Sequence, residues 1–344
     1  MFSASKNIPE LENVTQEMFR NEIYPAAEPV IMRGLVADWP SVKAAQTSDE
    51  TLISYMKNLY TGHPVEFLLG PPEIAGHFFY NEDMSGLNFK RSTGTFPDVI
   101  DRLFTQTPLA SGEAINIQST PVRALLPGFV EDNRLRVLAD NIPPRIWIGN
   151  AVRVQTHFDL SQNIACVVGG SREFTLFPPS QTSNLYMGPI ERTLAGTPVS
   201  LVDIDNIDQG RFPKFNVAAG EAMSAELMPG DAIFIPYFWW HHVRSLDRVN
   251  VLINYWWNEF DTLGSPMDAM LHSILTLRDL PPAMKEPWRQ IFDEFVFKND
   301  LSASQHIPPK ARGGLGSHDW PLRAGLWQAL ARGVGEFAAQ LMRR

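Results

Sequence analysis

The segment VRVQTHFDLSQNIACVVGGSREFTLFPP, residues 152–179, contains the motif on which the predicted fold depends. Every second residue from 152 to 158 is β-branched or aromatic: Val152, Val154, Thr156 and Phe158. Such residues are typical of an extended strand. Residues two apart on a strand point to the same face, so His157 and Asp159 project together. This imidazole and carboxylate can hold a metal ion if a second imidazole joins them.

A second imidazole is present in the segment GDAIFIPYFWWHHV, residues 230–243. The Gly-Asp pair predicts a turn, and an apolar strand follows it. Neighbours on a strand face opposite sides, so either His241 or His242 joins the first pair, and periodicity does not choose between them. Two histidines and one carboxylate with open positions are typical of non-haem Fe(II) sites. The residues therefore predict such a site, with its third ligand undecided.

The chain resembles the cupin-like JmjC hydroxylases, and most closely the asparaginyl hydroxylases that inhibit hypoxia-inducible factor, in the segments HFD, QN, FTLFPP, GDAIFIPYFWWHHV and NVLINYWW. Likeness at residues 29–34 and 79–91 extends the resemblance over residues 25–300. The resemblance implies a double-stranded β-helix that uses Fe(II) and 2-oxoglutarate. Because the family's distal ligand directly follows a tryptophan pair, it also favours His241 over His242.

The resemblance further implies a site for 2-oxoglutarate, in which a buried cation holds the distal carboxylate. The resembled hydroxylases have a lysine fifteen positions after the first histidine ligand, whereas this chain has Arg172 there. A guanidinium can form a bidentate pair with a carboxylate, so an arginine suits this role. The change leaves open whether the cosubstrate is 2-oxoglutarate or a related acid. A surface arginine beside Glu173 is the alternative interpretation.

Four more residues match positions around the family's active site. Asn163 and Asn254 match amides near the cosubstrate, although a buried asparagine that only satisfies backbone groups would give the same pattern. Gln118 and Trp256 match positions beside the substrate. An ordinary polar strand residue and a core aromatic are the alternatives for these two.

The composition is that of a globular protein with an acidic balance. Hydrophobic residues make up 44% of the 344 positions, the formal net charge is −9 and the pI is near 5.4. This charge argues against a nucleic-acid partner held by phosphate contacts. The single cysteine, Cys166, cannot form an internal disulfide. We see no signal peptide and no apolar segment long enough to span a bilayer, so we expect a cytoplasmic protein without membrane contact.

The pattern of turns predicts the architecture. Short strands alternate with turn residues over residues 110–257, which predicts a mainly β jelly roll of the cupin kind with flanking helices. A helix is expected to begin at TSDE, residues 47–50. Residues 73–95 show no clear period and are expected to form a functional loop or a lid over the core. From residue 265 the apolar residues recur at helical spacing, so we predict domains at 1–264 and 265–344.

A C-terminal apolar stripe predicts how the chain assembles. Its large apolar residues recur at helical spacing and are Leu322, Leu326, Leu330, Val334, Phe337 and Leu341. Exposed apolar patches mark interfaces, and the resembled hydroxylase pairs through its C-terminal helices, so we expect a homodimer. A helix that folds back onto its own barrel is the alternative.

Together these features predict an Fe(II)- and 2-oxoglutarate-dependent oxygenase that hydroxylates a protein side chain or a small molecule. His157, Asp159 and His241 are its expected metal ligands. The alternative is a non-catalytic cupin module that binds a metal or ligand and acts as a sensor. Consumption of 2-oxoglutarate separates the two, because only the enzyme turns over.

Overall fold

The computed structural model describes residues 2, 4–105, 112–194, 196–260, 264–298, 300, 302–316 and 319–342. Its strands are β1 (Lys6–Asn7), β2 (Glu10–Glu12), β3 (Val30–Arg33), β4 (Val65–Gly70), β5 (His77–Phe78), β6 (Lys90–Gly94), β7 (Ala114–Pro121), β8 (Pro144–Gly149), β9 (Arg153–His157), β10 (Gln162–Gly169), β11 (Arg172–Phe177), β12 (Met223–Leu227), β13 (Ala232–Ile235), β14 (Trp240–Ser245) and β15 (Asn250–Trp257). Its α-helices are α1 (Gln16–Met18), α2 (Tyr24–Ala26), α3 (Pro40–Thr47), α4 (Asp49–Leu59), α5 (Phe96–Thr105), α6 (Val122–Leu125), α7 (Phe129–Asp132), α8 (Phe215–Glu221), α9 (Pro266–Leu277), α10 (Pro282–Phe295) and α11 (Trp320–Leu341).

Two β-sheets pack face to face. The six-stranded sheet has the order β1-β12-β11-β14-β9-β5, and the nine-stranded sheet has the order β2-β3-β13-β10-β15-β8-β7-β4-β6. Alternate residues of both sheets point inward and form one buried apolar cluster. Among its members are Ile31, Ala165, Ile233 and Leu252 from the larger sheet and Phe174, Leu176, Leu227 and Val243 from the smaller. This arrangement confirms the predicted jelly roll.

Helices cover the outer face of the nine-stranded sheet, where a second apolar core lies. Helix α4 begins at the predicted capping segment, because the Ser48 side chain accepts a hydrogen bond from the Thr51 backbone N–H at 3.1 Å. Its buried residues Leu52, Ile53 and Met56 recur at helical spacing and face that core. The flanking helices therefore stiffen the sheet on which part of the site is built.

Strand pairing in the smaller sheet aligns the two histidine motifs. β14 pairs antiparallel with β9, and His241 lies directly opposite His157. The register shifts between Val154 and His157, where two residues of β9 lie opposite His242 alone, so β9 contains a β-bulge just before His157. The two imidazole ring centroids are 4.2 Å apart. Long-range strand pairing thus brings together residues that are 84 positions apart in the chain.

Residues 79–89, 186–194 and 196–201, which we call the lid, contact one another. Residues 186–188 pair with residues 199–201 as a hairpin, and Val199 lies opposite His157 of the metal-motif strand. The Tyr80 hydroxyl donates to the Arg192 carbonyl at 2.6 Å, and the Arg192 guanidinium donates to the Met84 carbonyl at 2.6 Å. The predicted irregular stretch at 73–95 therefore includes the strands β5 and β6, and it also contributes to a lid.

The chain divides into two units, Met1–Asn258 and Glu259–Arg344. The second unit contains α9, α10 and α11. Ser265 and Asp268 form a capping box at the start of α9. The division follows Asn258, a few residues before the boundary at 264 predicted from the sequence, and the two domains with that boundary stay a prediction. Among the described residues, no helix combines the length and the apolar character that a membrane crossing requires.

Candidate metal centre

Three side chains converge at one end of the barrel. The structure brings together His157, Asp159 and His241, whose ligand atoms all lie within 4.8 Å of one another. Asp159 Oδ1 is 4.0 Å from His157 Nε2, and Asp159 Oδ2 is 3.8 Å from His241 Nε2. Two imidazole nitrogens and one carboxylate are the donor set expected for a non-haem Fe(II) site. Metal binding itself stays a prediction.

Backbone carbonyls determine which nitrogen of the His157 and His241 rings carries the proton. His157 Nδ1 donates to the Gln155 carbonyl at 2.9 Å, and His241 Nδ1 donates to the Trp239 carbonyl at 3.0 Å. A carbonyl oxygen can only accept, so each Nδ1 carries the proton and each Nε2 keeps its lone pair. Burial, reinforced by the neighbouring His157 ring, lowers the pKa of His241 to about 4. The His241 ring is therefore neutral at pH 7 and able to bind a metal.

His242 lies on the opposite face of β14 from His241, as strand alternation requires. It is buried, and burial lowers the pKa of its imidazole to about 3. The geometry therefore selects His241 as the histidine beside His157 and Asp159, the choice that the family pattern favours. The residue pattern alone left this choice open.

The Asp159 carboxylate is held by side-chain donors. Trp256 Nε1 donates to Asp159 Oδ2 at 2.9 Å, and Asn163 Nδ2 donates to the same oxygen at 3.4 Å. Asn254 Nδ2 donates to Asn163 Oδ1 at 3.4 Å, and its own Oδ1 accepts from Trp147 Nε1 at 2.9 Å. Asn163, Asn254 and Trp256 thus lie in one polar network beside the metal site.

A buried arginine completes this cavity. The cavity comprises about 430 Å³ of empty space, including the part open to solvent, and Arg172 lines it together with the three candidate ligands. Arg172 is 4% exposed, and within the described residues it has no ion pair, while its Nε is buried without a hydrogen-bond partner. Burial lowers the pKa of its guanidinium to about 10, so the group remains charged at pH 7. The alternative of a surface arginine is wrong.

A second cavity lies on the other side of His157 and contains Gln118. It comprises about 400 Å³ of empty space, again including the part open to solvent. Its apolar walls are Leu68, Phe78, Phe89, Leu194 and Val199. Asn116 and Gln118 also line it, and neither side-chain amide forms a hydrogen bond within the described part of the chain. The structure therefore places Gln118 in a cavity that His157 also lines, and its substrate-facing role stays a prediction.

Asn116 and Trp147 are among the cavity residues that were not predicted from the sequence. Asn116 lies two positions before Gln118 on β7 and so shares its face of the strand, a signal that periodicity offers. Trp147 lies on β8 between the core residues Ile146 and Ile148 and faces the other way. Its alternation with two isoleucines is visible in the sequence, but its pairing with Asn254 depends on the fold.

Iron and 2-oxoglutarate both fit what the residues offer. The two free Nε2 atoms and the Asp159 carboxylate supply three ligands on one side of a metal. A charged guanidinium buried without an acid partner costs free energy unless an anion neutralises it. Arg172 is therefore matched to a carboxylate bound inside the same cavity.

Comparison with known proteins agrees with this geometry. A family model described as a cupin-like domain matches residues 15–263. The chain is 29% identical to lysine-specific demethylase 8 of Danio rerio, over 75% of this chain and 60% of that protein. It is 25% identical to Jumonji C domain-containing protein 5 of Drosophila melanogaster, over 73% of this chain and 60% of that protein. It is 27% identical to tRNA wybutosine-synthesizing protein 5 of Homo sapiens, over 73% of this chain and 77% of that protein.

These relatives support the JmjC branch of cupins in general and do not single out the asparaginyl hydroxylases. The chain spans about 60% of the length of the Danio rerio and Drosophila melanogaster relatives. The alignment therefore does not assign the activities of those proteins to this chain. The family match runs from the first helices through both sheets and covers more than half of the chain. This chain therefore belongs to the family of cupin-like domains.

Proposed function

We propose that this protein is an Fe(II)- and 2-oxoglutarate-dependent oxygenase that hydroxylates a protein side chain or a small molecule. One observation carries the proposal: an unpaired buried guanidinium, Arg172, shares a cavity with a two-histidine, one-carboxylate group. Either feature alone would also suit a protein that binds only an anion or only a metal. Their combination in one cavity matches a cosubstrate that has a carboxylate at one end and binds a metal at the other.

The residues of the chain divide the work of such a reaction. Fe(II) with 2-oxoglutarate and dioxygen supplies the oxidation of an unreactive C–H bond, with release of succinate and carbon dioxide. His157, Asp159 and His241 hold the metal. Arg172 binds the distal carboxylate of the cosubstrate through a charge-assisted hydrogen bond. Asn163 and Asn254 line the same cavity, and we assign them to its remaining oxygens.

The cavity around Gln118 is the proposed substrate site. It shares His157 with the metal cavity, so a group bound there lies next to the metal. Its walls are largely apolar, and the amides of Asn116 and Gln118, which form no hydrogen bond among the described residues, can orient a polar group of the substrate. The resemblance to asparaginyl hydroxylases favours a protein side chain as the substrate.

The names of the relatives point to different substrates, lysine in one case and tRNA in another. The net charge of −9 supports a substrate other than a nucleic acid held through its phosphates. The cytoplasmic location expected from the sequence stays a prediction.

Turnover of 2-oxoglutarate tests the proposal. The purified protein, supplied with Fe(II), ascorbate, dioxygen and 2-oxoglutarate, should release succinate, measured by mass spectrometry. Many enzymes of this kind need the substrate for full turnover, so a peptide library and a metabolite mixture are added in parallel. Asp159→Ala should abolish release, because it removes a metal ligand. Binding of 2-oxoglutarate without any release in all mixtures would support a sensor instead.

A further inference from the structure

Asp159 differs from the two histidine ligands in how it is held. The imidazoles of His157 and His241 donate to backbone carbonyls, which no side-chain substitution removes. Asp159 lies two residues beyond the end of β9, outside any strand. Its carbonyl accepts from the Phe238 backbone N–H at 3.0 Å, which holds the backbone but leaves the carboxylate free to rotate. The direction of that carboxylate therefore depends on side-chain donors.

Trp256 is the stronger of its two donors. The indole N–H lies 2.9 Å from Asp159 Oδ2, whereas the Asn163 amide is 3.4 Å from the same oxygen. An indole N–H can only donate, so the direction of this bond is certain. Within the described residues, Asp159 Oδ1 receives no hydrogen bond. Both donors thus act on Oδ2 and leave Oδ1 to a metal.

The indole is itself held in place. Trp256 lies on β15 directly opposite Asn163 on β10, so the two donors approach Asp159 from neighbouring strands. The Trp147 ring packs edge to face against it, with ring centroids 6.0 Å apart and an interplanar angle of 86°. Trp256 lines the metal cavity and is not among the residues that line the cavity of Gln118.

We infer that Trp256 is a positioning residue that orients the Asp159 carboxylate and thereby sets the affinity of the site for metal. This differs from the substrate-facing role that its sequence match predicts. The inference rests on the proposed function only in requiring that a divalent metal binds at His157, Asp159 and His241. Hydrogen-bond partners of metal ligands typically change metal affinity by about 10–100-fold.

Trp39 offers a matched control. Its indole is also buried and also donates a hydrogen bond, at 3.0 Å, but the acceptor is the Arg134 carbonyl and the residue does not line the metal cavity. The test is calorimetric titration of Co(II) into the metal-free full chain of the parent, Trp256→Phe and Trp39→Phe. Co(II) absorption in the visible range reports the ligand set independently. We expect Trp256→Phe to bind Co(II) about 10–100-fold more weakly and Trp39→Phe to stay close to the parent.

A second variant separates the hydrogen bond from the loss of ring volume. Site-specific replacement of Trp256 by 3-benzothienylalanine keeps the shape of the ring and exchanges N–H for sulfur. It should fold like the parent, judged by thermal unfolding of the metal-free protein, and should weaken Co(II) binding as Trp256→Phe does. Parent-like affinity in this variant, or an equal loss in Trp39→Phe, would overturn the inference alone. A parent that binds no Co(II) would overturn the proposed function as well.

Discussion

Arg172 is the residue whose surroundings say most about what the site binds. Its neighbours on β11, Phe174 and Leu176, point into the same barrel interior and are apolar. A guanidinium placed among such residues is stabilised only by a charge partner or hydrogen bonds. The described residues provide no ion pair for it, which leaves this role to a ligand.

Replacement of Arg172 should weaken the binding of the cosubstrate and leave the binding of the metal unchanged. A hydrogen bond to a charged group contributes about 1.5–3 kcal/mol, so Arg172→Ala should bind 2-oxoglutarate about 10–100-fold more weakly. Arg172→Lys should retain part of the affinity, because it keeps the charge and loses the two-pronged geometry. Titration of 2-oxoglutarate into the Co(II)-loaded variants measures this, with Co(II) affinity as the control. Parent-like affinity in Arg172→Ala would place the anchor elsewhere.

Individual residues show which parts of the site could be predicted from the sequence and which could not. The proximity of His157 and Asp159 was predicted from strand periodicity, which is local and visible in the chain, although the strand itself ends at His157. The choice of His241 over His242 depends on the register of β14 against β9, which is a long-range contact. Trp256 was assigned by resemblance alone, and its bond to Asp159 emerges only when β15 is placed beside β10.

At the scale of elements, the strands were predicted better than the segments that cover them. The strands are short runs rich in β-branched and other apolar residues, bounded by turn residues, and this pattern is visible without tertiary context. The hairpin at 186–201 has few periodic features, because its partners are the edge of β9 and the segment at 79–89. Such contacts between distant parts of the chain leave no local pattern, so the hairpin could not be derived from composition or spacing, although a lid was one expectation for residues 73–95.

The hydrogen bond from the Tyr80 hydroxyl is expected to stabilise the lid locally. Tyr80→Phe removes the hydrogen bond to the Arg192 carbonyl and should loosen the hairpin by about 0.5–1.5 kcal/mol. Hydrogen exchange measured by mass spectrometry should then become faster in peptides from residues 186–201. Tyr60→Phe is the control, because that hydroxyl donates to the His63 carbonyl at 2.8 Å, outside the lid. Unchanged exchange in Tyr80→Phe would mean that the two lid segments are not coupled.

At the scale of the whole molecule, the second unit leaves apolar surface uncovered. On α11, the side chains of Leu326, Leu330, Val334 and Phe337 are 41%, 45%, 46% and 59% exposed. Trp288, Ile291 and Phe295 of α10 are each more than 40% exposed as well. So many large apolar side chains on two helices exceed what single scattered residues would show. We propose that a second copy of the chain covers them.

Light scattering tests this dimer. The intact chain should have the mass of two copies, and a chain ending before residue 317 should have the mass of one. Leu330→Glu should also shift the equilibrium to the monomer, because it puts a charge into an apolar interface. Gln328→Glu adds the same charge on the same helix outside the stripe and should leave the dimer intact. A monomeric intact chain, or a dimer that survives the truncation, contradicts the proposal.

The metal centre is the central claim, and adjacent histidines test it most directly. Under anaerobic conditions with Fe(II) and 2-oxoglutarate, the parent should bind one Fe(II) per chain and show the weak visible charge-transfer band of such complexes. His157→Ala and His241→Ala should lose the band. His242→Ala should keep it, because that buried ring faces away from the site. Loss of the band in His242→Ala with retention in His241→Ala, or no band in the parent, would contradict the account.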